Sequence, residues 1–240
     1  MRYAILSDIH GNLDALKAVL GASDRETVDA YVCLGDIVGY GPQPSECLHE
    51  IRKYAGTVVA GNHDLAVCEK LNLSNFNVLA REAILWTRGK LTADDNEFLS
   101  NLPLEERLEG FHAVHGTLYA PELFDYVQTS YDAYLSMARM DAPLCVVGHS
   151  HVPVTFVQGD VIGYSLGEAI KIAPDQKAIV NVGSVGQPRD KDPRACYAIY
   201  DTEKQTVRIR RVSYDIESVV AKIREAGLPA QLGERLRVGR

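Results

Sequence analysis

The sequence predicts an α/β fold in which helices cover a mostly parallel sheet, and two patterns carry that prediction. In the first two thirds of the chain, short apolar runs alternate with segments of helical periodicity, which is how βαβ units read. After Val152, short strands recur close together instead.

Residues 3–6 form an apolar run suited to a buried strand. Leu13, Leu16, Val19 and Leu20 follow the i, i+3, i+7 rule of a helix, with Asn12 placed to cap it. Residues 30–34 read as the next strand, 45–54 as a helix and 57–60 as a third strand. Residues 65–103 change character. Phe76, Leu79, Ala80, Ala83 and Ile84 share one helical face, and Thr92-Ala93-Asp94-Asp95 opens a further helix, so this segment reads as a helical insert. Strands resume at 111–115 and 144–147, then at 154–157, 161–164, 178–182, 195–200 and 206–212, the last two joined by a hairpin loop at 201–205. A helical pattern starts at Ile216. No low-complexity linker or internal repeat interrupts the chain, so residues 1–240 are expected to form one domain.

The composition, 46% hydrophobic and 24% charged, is that of a folded protein able to bury a large core. A net charge of -7 argues against binding to duplex nucleic acid, whose partners are basic. The one dense basic stretch, Arg208-Ile209-Arg210-Arg211, alternates with apolar residues and reads as the wet face of a strand. The five cysteines are scattered with no C-x-x-C pair, which fits reduced, buried thiols. The apolar start, residues 3–6, is too short for a signal peptide core, and no run is long enough to cross a bilayer. A cytoplasmic protein with no membrane partner is expected.

Seven histidines occur, and five of them follow predicted strands in unusual local sequences. The segments are Asp8-Ile9-His10-Gly11-Asn12, Gly61-Asn62-His63-Asp64, His115-Gly116 and Gly148-His149-Ser150-His151; Gly35-Asp36 adds a carboxylate at another strand end. Residues i and i+2 of an extended chain point to one side, so Asp8 with His10, and His149 with His151, can each grip one ion. In open α/β sheets, ligands bind outside the carboxyl ends of the strands, and five predicted strand ends converge here. Mixed carboxylate, imidazole and amide donors suit two divalent ions such as Mn, Fe, Zn, Co or Ni, and Asp36 is the candidate bridge between them. His49 lies in a polar helical pattern and His112 faces away from His115, so both read as structural.

In their order these motifs resemble the calcineurin-like metallophosphoesterase superfamily, whose pattern runs D-x-H, G-D, G-N-H-[DE], H and G-H-x-H. The resemblance implies a four-layer α/β/β/α sandwich of two mixed sheets with helices on both outer faces. It implies that Asp8, His10, Asp36 and His151 hold one metal ion, that Asp36, Asn62, His115 and His149 hold the other, and that His63 acts on the substrate. Protein phosphatases of the superfamily carry G-D-x-V-D-R-G, whose arginine grips phosphate. This chain has Gly35-Asp36-Ile37-Val38-Gly39-Tyr40-Gly41, with Tyr40 at the arginine position. It therefore looks closer to the small bacterial and archaeal phosphodiesterase branch, which includes cyclic-nucleotide and dinucleoside-polyphosphate hydrolases.

The expected reaction is hydrolysis of a phosphodiester or nucleotide phosphoanhydride in a small substrate. Two bound cations lower the pKa of a bridging water from about 15.7 towards 7, supplying hydroxide at neutral pH. His63, oriented by Asp64 or by a backbone carbonyl, is expected to protonate the leaving oxygen. In the turn-rich stretch 181–190, Arg189 or Ser184 is a candidate phosphate contact. Tyr40 offers an aromatic face on which a base could stack, and the insert could roof that pocket. Two other readings are a protein serine/threonine phosphatase, which Tyr40 disfavours, and a non-catalytic scaffold, which has no need of His63 and a full ligand set.

Overall fold

Strand β1 (Arg2–Leu6) organises the first sheet, pairing in parallel with β2 (Ala30–Cys33) on one side and antiparallel with β11 (Ala195–Asp201) on the other. The computed structural model describes residues 1–173 and 175–240. The sheet is completed by β3 (Ala55–Val58), β12 (Thr206–Val212) and β9 (Ala169–Lys171), in the order β3-β2-β1-β11-β12-β9. A second six-stranded sheet runs β4-β5-β6-β10-β7-β8, from β4 (Glu105–Leu108), β5 (Phe111–Val114), β6 (Leu144–Val147), β10 (Ala178–Asn181), β7 (Val154–Val157) and β8 (Gly163–Ser165).

Side-chain alternation along the strands builds the layers. Tyr3 and Ile5 point between the sheets, where they join Val32, Phe111, Leu144, Val146, Val180 and Tyr200. Ala4 and Leu6 point the other way, onto α1 (Leu13–Ser23) and α2 (Pro44–Tyr54) through Leu16, Val19, Leu48 and Ile51. The outer face of the second sheet, with Val114, Cys145, Val147 and Ile179, packs on Ala133 and Met137 of α6 (Ser130–Met137). The result is a sandwich of two mixed sheets with helices on both outer faces. The two sheets agree with what the family resemblance implied, but they are less parallel than the sequence pattern alone suggested. In the first sheet β3, β2 and β1 form a parallel half and β11, β12 and β9 add antiparallel; in the second, β5, β6 and β10 form a parallel centre with antiparallel flanks, because the later strands return through short hairpins rather than helical crossovers.

The insert contains α4 (Val78–Arg88) and α5 (Ala93–Ser100), following α3 (Asn62–Val67). Its α4 meets the C-terminal pair α7 (Ile216–Glu225) and α8 (Ala230–Val238) in a cluster of Ala80, Ala83, Val219, Ile223, Leu232 and Leu236. Asn12 caps α1 as expected, its side-chain oxygen accepting from Ala15 N at 3.1 Å. The basic stretch on β12 is only partly wet. Arg208 is exposed, but Arg210 pairs with Glu26 at 2.8 Å and Arg211 is paired with Asp190. The cysteines are unpaired, and burial pushes the Cys33, Cys47, Cys145 and Cys196 thiols up, so they remain protonated. Among the described residues, no helix is long and apolar enough to cross a membrane.

Candidate metal centre

The ends of β1, β2, β3, β5 and β6 point to one place, carrying Asp8 and His10, Asp36, Asn62 and His63, His115, and His149 and His151. Their donor atoms form three overlapping groups, each within 4.8 Å: Asp8, His10 and His151; His10, Asp36 and His63; Asp36, His115 and His149. One Asp36 oxygen lies 3.6 Å from His10 Nε2 and 3.4 Å from His115 Nε2, so this carboxylate stands between the outer two groups. Asp8 Oδ1 lies 3.1 Å from His151 Nε2.

The convergence is not achieved by extended chain, as the i, i+2 spacing had suggested. Asp8, His10, Asp36, His149 and His151 all have positive φ, between 50° and 65°. A left-handed backbone costs a non-glycine residue about 1–2 kcal/mol, and such strain persists only where the surroundings hold it. Here they do. Asp8 Oδ2 accepts from His149 N at 2.9 Å, Ser184 Oγ donates to the Asp8 carbonyl at 2.8 Å, and Gly186 N donates to the same carbonyl at 2.9 Å. Gly148 is required at its turn, since a Cβ there would collide with Ser7 and Asp8. Ser184 is therefore a buried brace behind Asp8 and not a phosphate contact, which corrects that expectation.

Asp64 also has a different role from the expected one. Its carboxylate accepts from the amides of Asp36 at 2.7 Å, Ile37 at 2.9 Å, Val38 at 3.2 Å and Gly61 at 3.0 Å. It clamps the Asp36 loop to the Gly61 loop. It does not orient His63, whose Nδ1 is buried with no hydrogen-bond partner.

The donor chemistry fits metal ions. His10, His115 and His151 each turn Nδ1 to a backbone carbonyl, of Val38 at 3.1 Å, Leu34 at 2.7 Å and Gln187 at 2.5 Å. A carbonyl only accepts, so Nδ1 carries the proton and Nε2 presents its lone pair inward. His10 Nε2 then faces His151 Nε2 at 3.2 Å, and His115 Nε2 faces His149 Nδ1 at 3.1 Å. Two such pairs of ring nitrogens need cations or protons between them. Asp8 Oδ1 and Asn62 Oδ1 are buried with no partner, which is costly unless something positive binds them. Burial holds the His149 pKa down at about 3 and His63 at about 4, the latter against the pull of Asp36. Burial also opposes charge on His115, but Asp36 and Asp8 outweigh it and carry that pKa up to about 9.

A cleft of about 360 Å³ opens above this floor, lined by Asp36, Asn62, His63, His149 and His151. The insert forms one wall through residues 71–80, as the sequence suggested. Arg189 reaches the cleft, with Nη2 3.1 Å from Gln187 Oε1 and 3.5 Å from the Tyr40 hydroxyl, and its guanidinium 5.8 Å from the centre of the Tyr40 ring. Among the described residues no carboxylate pairs with it. Tyr40 itself is only 5% exposed, packed 4.7 Å from His10 and 4.6 Å from His63, so it is a buttress rather than the free stacking face expected. His112 lies outside the site, 2.8 Å from Asp141, and His49 is exposed. Sequence reasoning missed Phe76, 5.3 Å from the His63 ring, and the segment 121–127, which bears Phe124 and Tyr126. No local pattern marks them.

Residues 1–205 match the family model described as the calcineurin-like phosphoesterase superfamily domain. The chain is 42% identical to a metallophosphoesterase from Sphaerobacter thermophilus, whose crystal structure aligns over 100% of this chain and 99% of that one with a TM-score of 0.90. It is 40% identical over 242 residues to an uncharacterized protein of Methanocaldococcus jannaschii, covering 99% of this chain and 98% of that protein. It is 22% identical over 230 residues to the phosphodiesterase YfcE of Escherichia coli K12, covering 93% and 97%.

Proposed function

The chain belongs to the calcineurin-like phosphoesterase superfamily, and from that premise we propose that it is a dinuclear metal-dependent hydrolase of phosphodiester or nucleotide phosphoanhydride bonds. The observation that carries the proposal is the single Asp36 oxygen between His10 and His115, with a separate ligand group on either side. Asp8, His10, Asp36 and His151 would hold one divalent ion, and Asp36, Asn62, His115 and His149 the other. Two such ions supply Lewis-acid neutralisation of phosphoryl charge and a nucleophile at neutral pH.

The chain's own residues do the rest. His63 lines the cleft and is the proton carrier for the leaving oxygen. Arg189 is the phosphate contact, a guanidinium resting beside Tyr40 at the position where protein phosphatases keep an arginine. A walled cleft of about 360 Å³ suits a small molecule better than a folded phosphoprotein. The relative named a phosphodiesterase agrees with this choice. Unpaired cysteines suit the cytoplasm.

The test is turnover by metal-stripped protein restored with Mn²⁺, Fe²⁺, Zn²⁺, Co²⁺ or Ni²⁺. A nitrophenyl diester, a diadenosine polyphosphate and a phosphopeptide are compared by kcat/KM. Either of the first two should lead. A lead for the phosphopeptide that Arg189→Ala abolishes would replace the diesterase reading with a protein phosphatase, and no turnover under any metal would leave the scaffold reading.

A further inference from the structure

The wall facing the insert has no counterpart among the motifs at the strand ends. A single 3₁₀ turn, Pro121–Leu123, leads into Phe124 at φ 54°, an outlier conformation for a bulky side chain. The strained turn is held in place. A Cβ on Gly116 would meet the Asp125 carbonyl at 2.8 Å, and Phe124 is buried with its ring 6.0 Å from His115. Its effect is to lay Tyr126 flat on His149, with ring centres 4.2 Å apart and planes 12° apart. A parallel stack covers one face of the ring. Tyr126 nevertheless remains 44% exposed and lines the cleft, so its other face is open.

The cleft is also lined by two asparagines of the insert, Asn72 and Asn77, committed in a way that fixes what they can offer. Asn72 Oδ1 accepts from Ser74 N at 2.9 Å, and Asn77 Oδ1 accepts from Ala80 N at 3.0 Å. Each side-chain oxygen is already engaged by the chain, so each NH₂ group is the part free to donate to a ligand. Glu122 lines the same side as Tyr126, and its charge disfavours a second phosphate there. An open aromatic face, amide donors and a nearby carboxylate suit a flat, uncharged group with acceptors on its edge.

We propose that Tyr126 is the platform of a nucleobase subsite and that Asn72 and Asn77 donate to the edge of the stacked base. The inference rests on the hydrolase reading above and specifies which substrates of that class are preferred. The probe pair is thymidine 5′-(4-nitrophenyl) phosphate and methyl 4-nitrophenyl phosphate, which share a leaving group and differ in the base. With metal-loaded protein, the thymidine ester should have the higher kcat/KM by roughly 10- to 100-fold, the range expected of base stacking, and mostly through KM. Tyr126→Ala should collapse that ratio. Asn77→Asp keeps the capping oxygen but removes the donor, and should lower the ratio several-fold. A ratio near one in the native protein, or equal losses on both esters in Tyr126→Ala, overturns the subsite and leaves Tyr126 as a support for His149. Calorimetric binding of thymidine 5′-monophosphate against inorganic phosphate makes the same comparison without turnover. Preferential binding of the nucleotide with no hydrolysis under any metal sinks the hydrolase reading alone. Equal binding together with hydrolysis of both esters at the same rate sinks the subsite alone.

Discussion

The floor of the cleft and its walls are built on opposite physical terms. On the floor, the proposed metal ligands His10, His115 and His151 are buried and have their second ring nitrogen tied to a carbonyl, and five ligand positions carry left-handed backbone. In the walls, Asn72, Asn77, Glu122 and Tyr126 are exposed, and the asparagines mainly cap their own turns. The difference teaches where substitution should be tolerated. A floor held by mutual constraint loses its chemistry when one member changes, whereas an exposed wall can change its preference and leave the floor in place.

The sharpest way to break that contrast is at Asp36. Asp36→Asn should drop turnover to background and lose at least one metal ion by elemental analysis, because even partners outside the ligand set typically cost about 10–100-fold. Full activity with unchanged metal content would remove Asp36 from the bridging position. Next in size is His63→Ala, which should retain both ions and lose about 10²–10⁴-fold on a substrate with a poor leaving group. A nitrophenyl ester should suffer less, since nitrophenolate leaves without a proton. Equal losses on both would make His63 a phosphate-positioning group.

Asp64→Asn tests whether the floor's strain is held as described. It sets an NH₂ group against four backbone donors in a buried place, and should cost about 2–4 kcal/mol. The readout is the urea midpoint of the metal-free protein. A shift near zero would mean the two loops hold each other without the clamp. Arg189→Ala should lower kcat/KM by about 10–100-fold, the loss of a charged hydrogen bond to phosphate, with Lys restoring only part because it lacks the planar fork.

The smallest effect belongs far from the cleft. Burial pushes the Glu26 carboxyl up, but Arg210 outweighs it and holds the group below its ordinary 4.5. A depressed folded pKa gives stability that is present above 4.5 and lost as pH falls through the folded value. Glu26→Gln should therefore cost less than about 1 kcal/mol at pH 7, and the difference from the native protein should vanish in acid. A difference that persists at pH 3 would assign it to packing rather than charge.

The residues that the structure gathers in the candidate centre were legible from the chain because strand ends announce themselves. An apolar run such as residues 3–6 stops, and a polar residue beside glycine begins. The same locality explains why β4, β8 and β9 were misplaced or missed. They are short, exposed edge strands whose patterns say little until a neighbour pairs with them. Strand β3 was placed two residues late because Val59 and Ala60 are equally apolar, yet the paired segment begins directly at the end of α2.

By itself, the sequence determined which side chains are candidate metal donors and the order of the helices and strands that carry them. These are local properties of spacing and hydrophobic period. Only the tertiary structure decided that Asp64 clamps two loops, that Ser184 braces Asp8, and that Tyr126 lies on His149. It also decided that Arg189 meets Tyr40 across 149 positions of chain. Such contacts depend on where loops of separate strands close against one another, and the energy that selects them comes from packing and hydrogen bonds between distant segments, which no local pattern records.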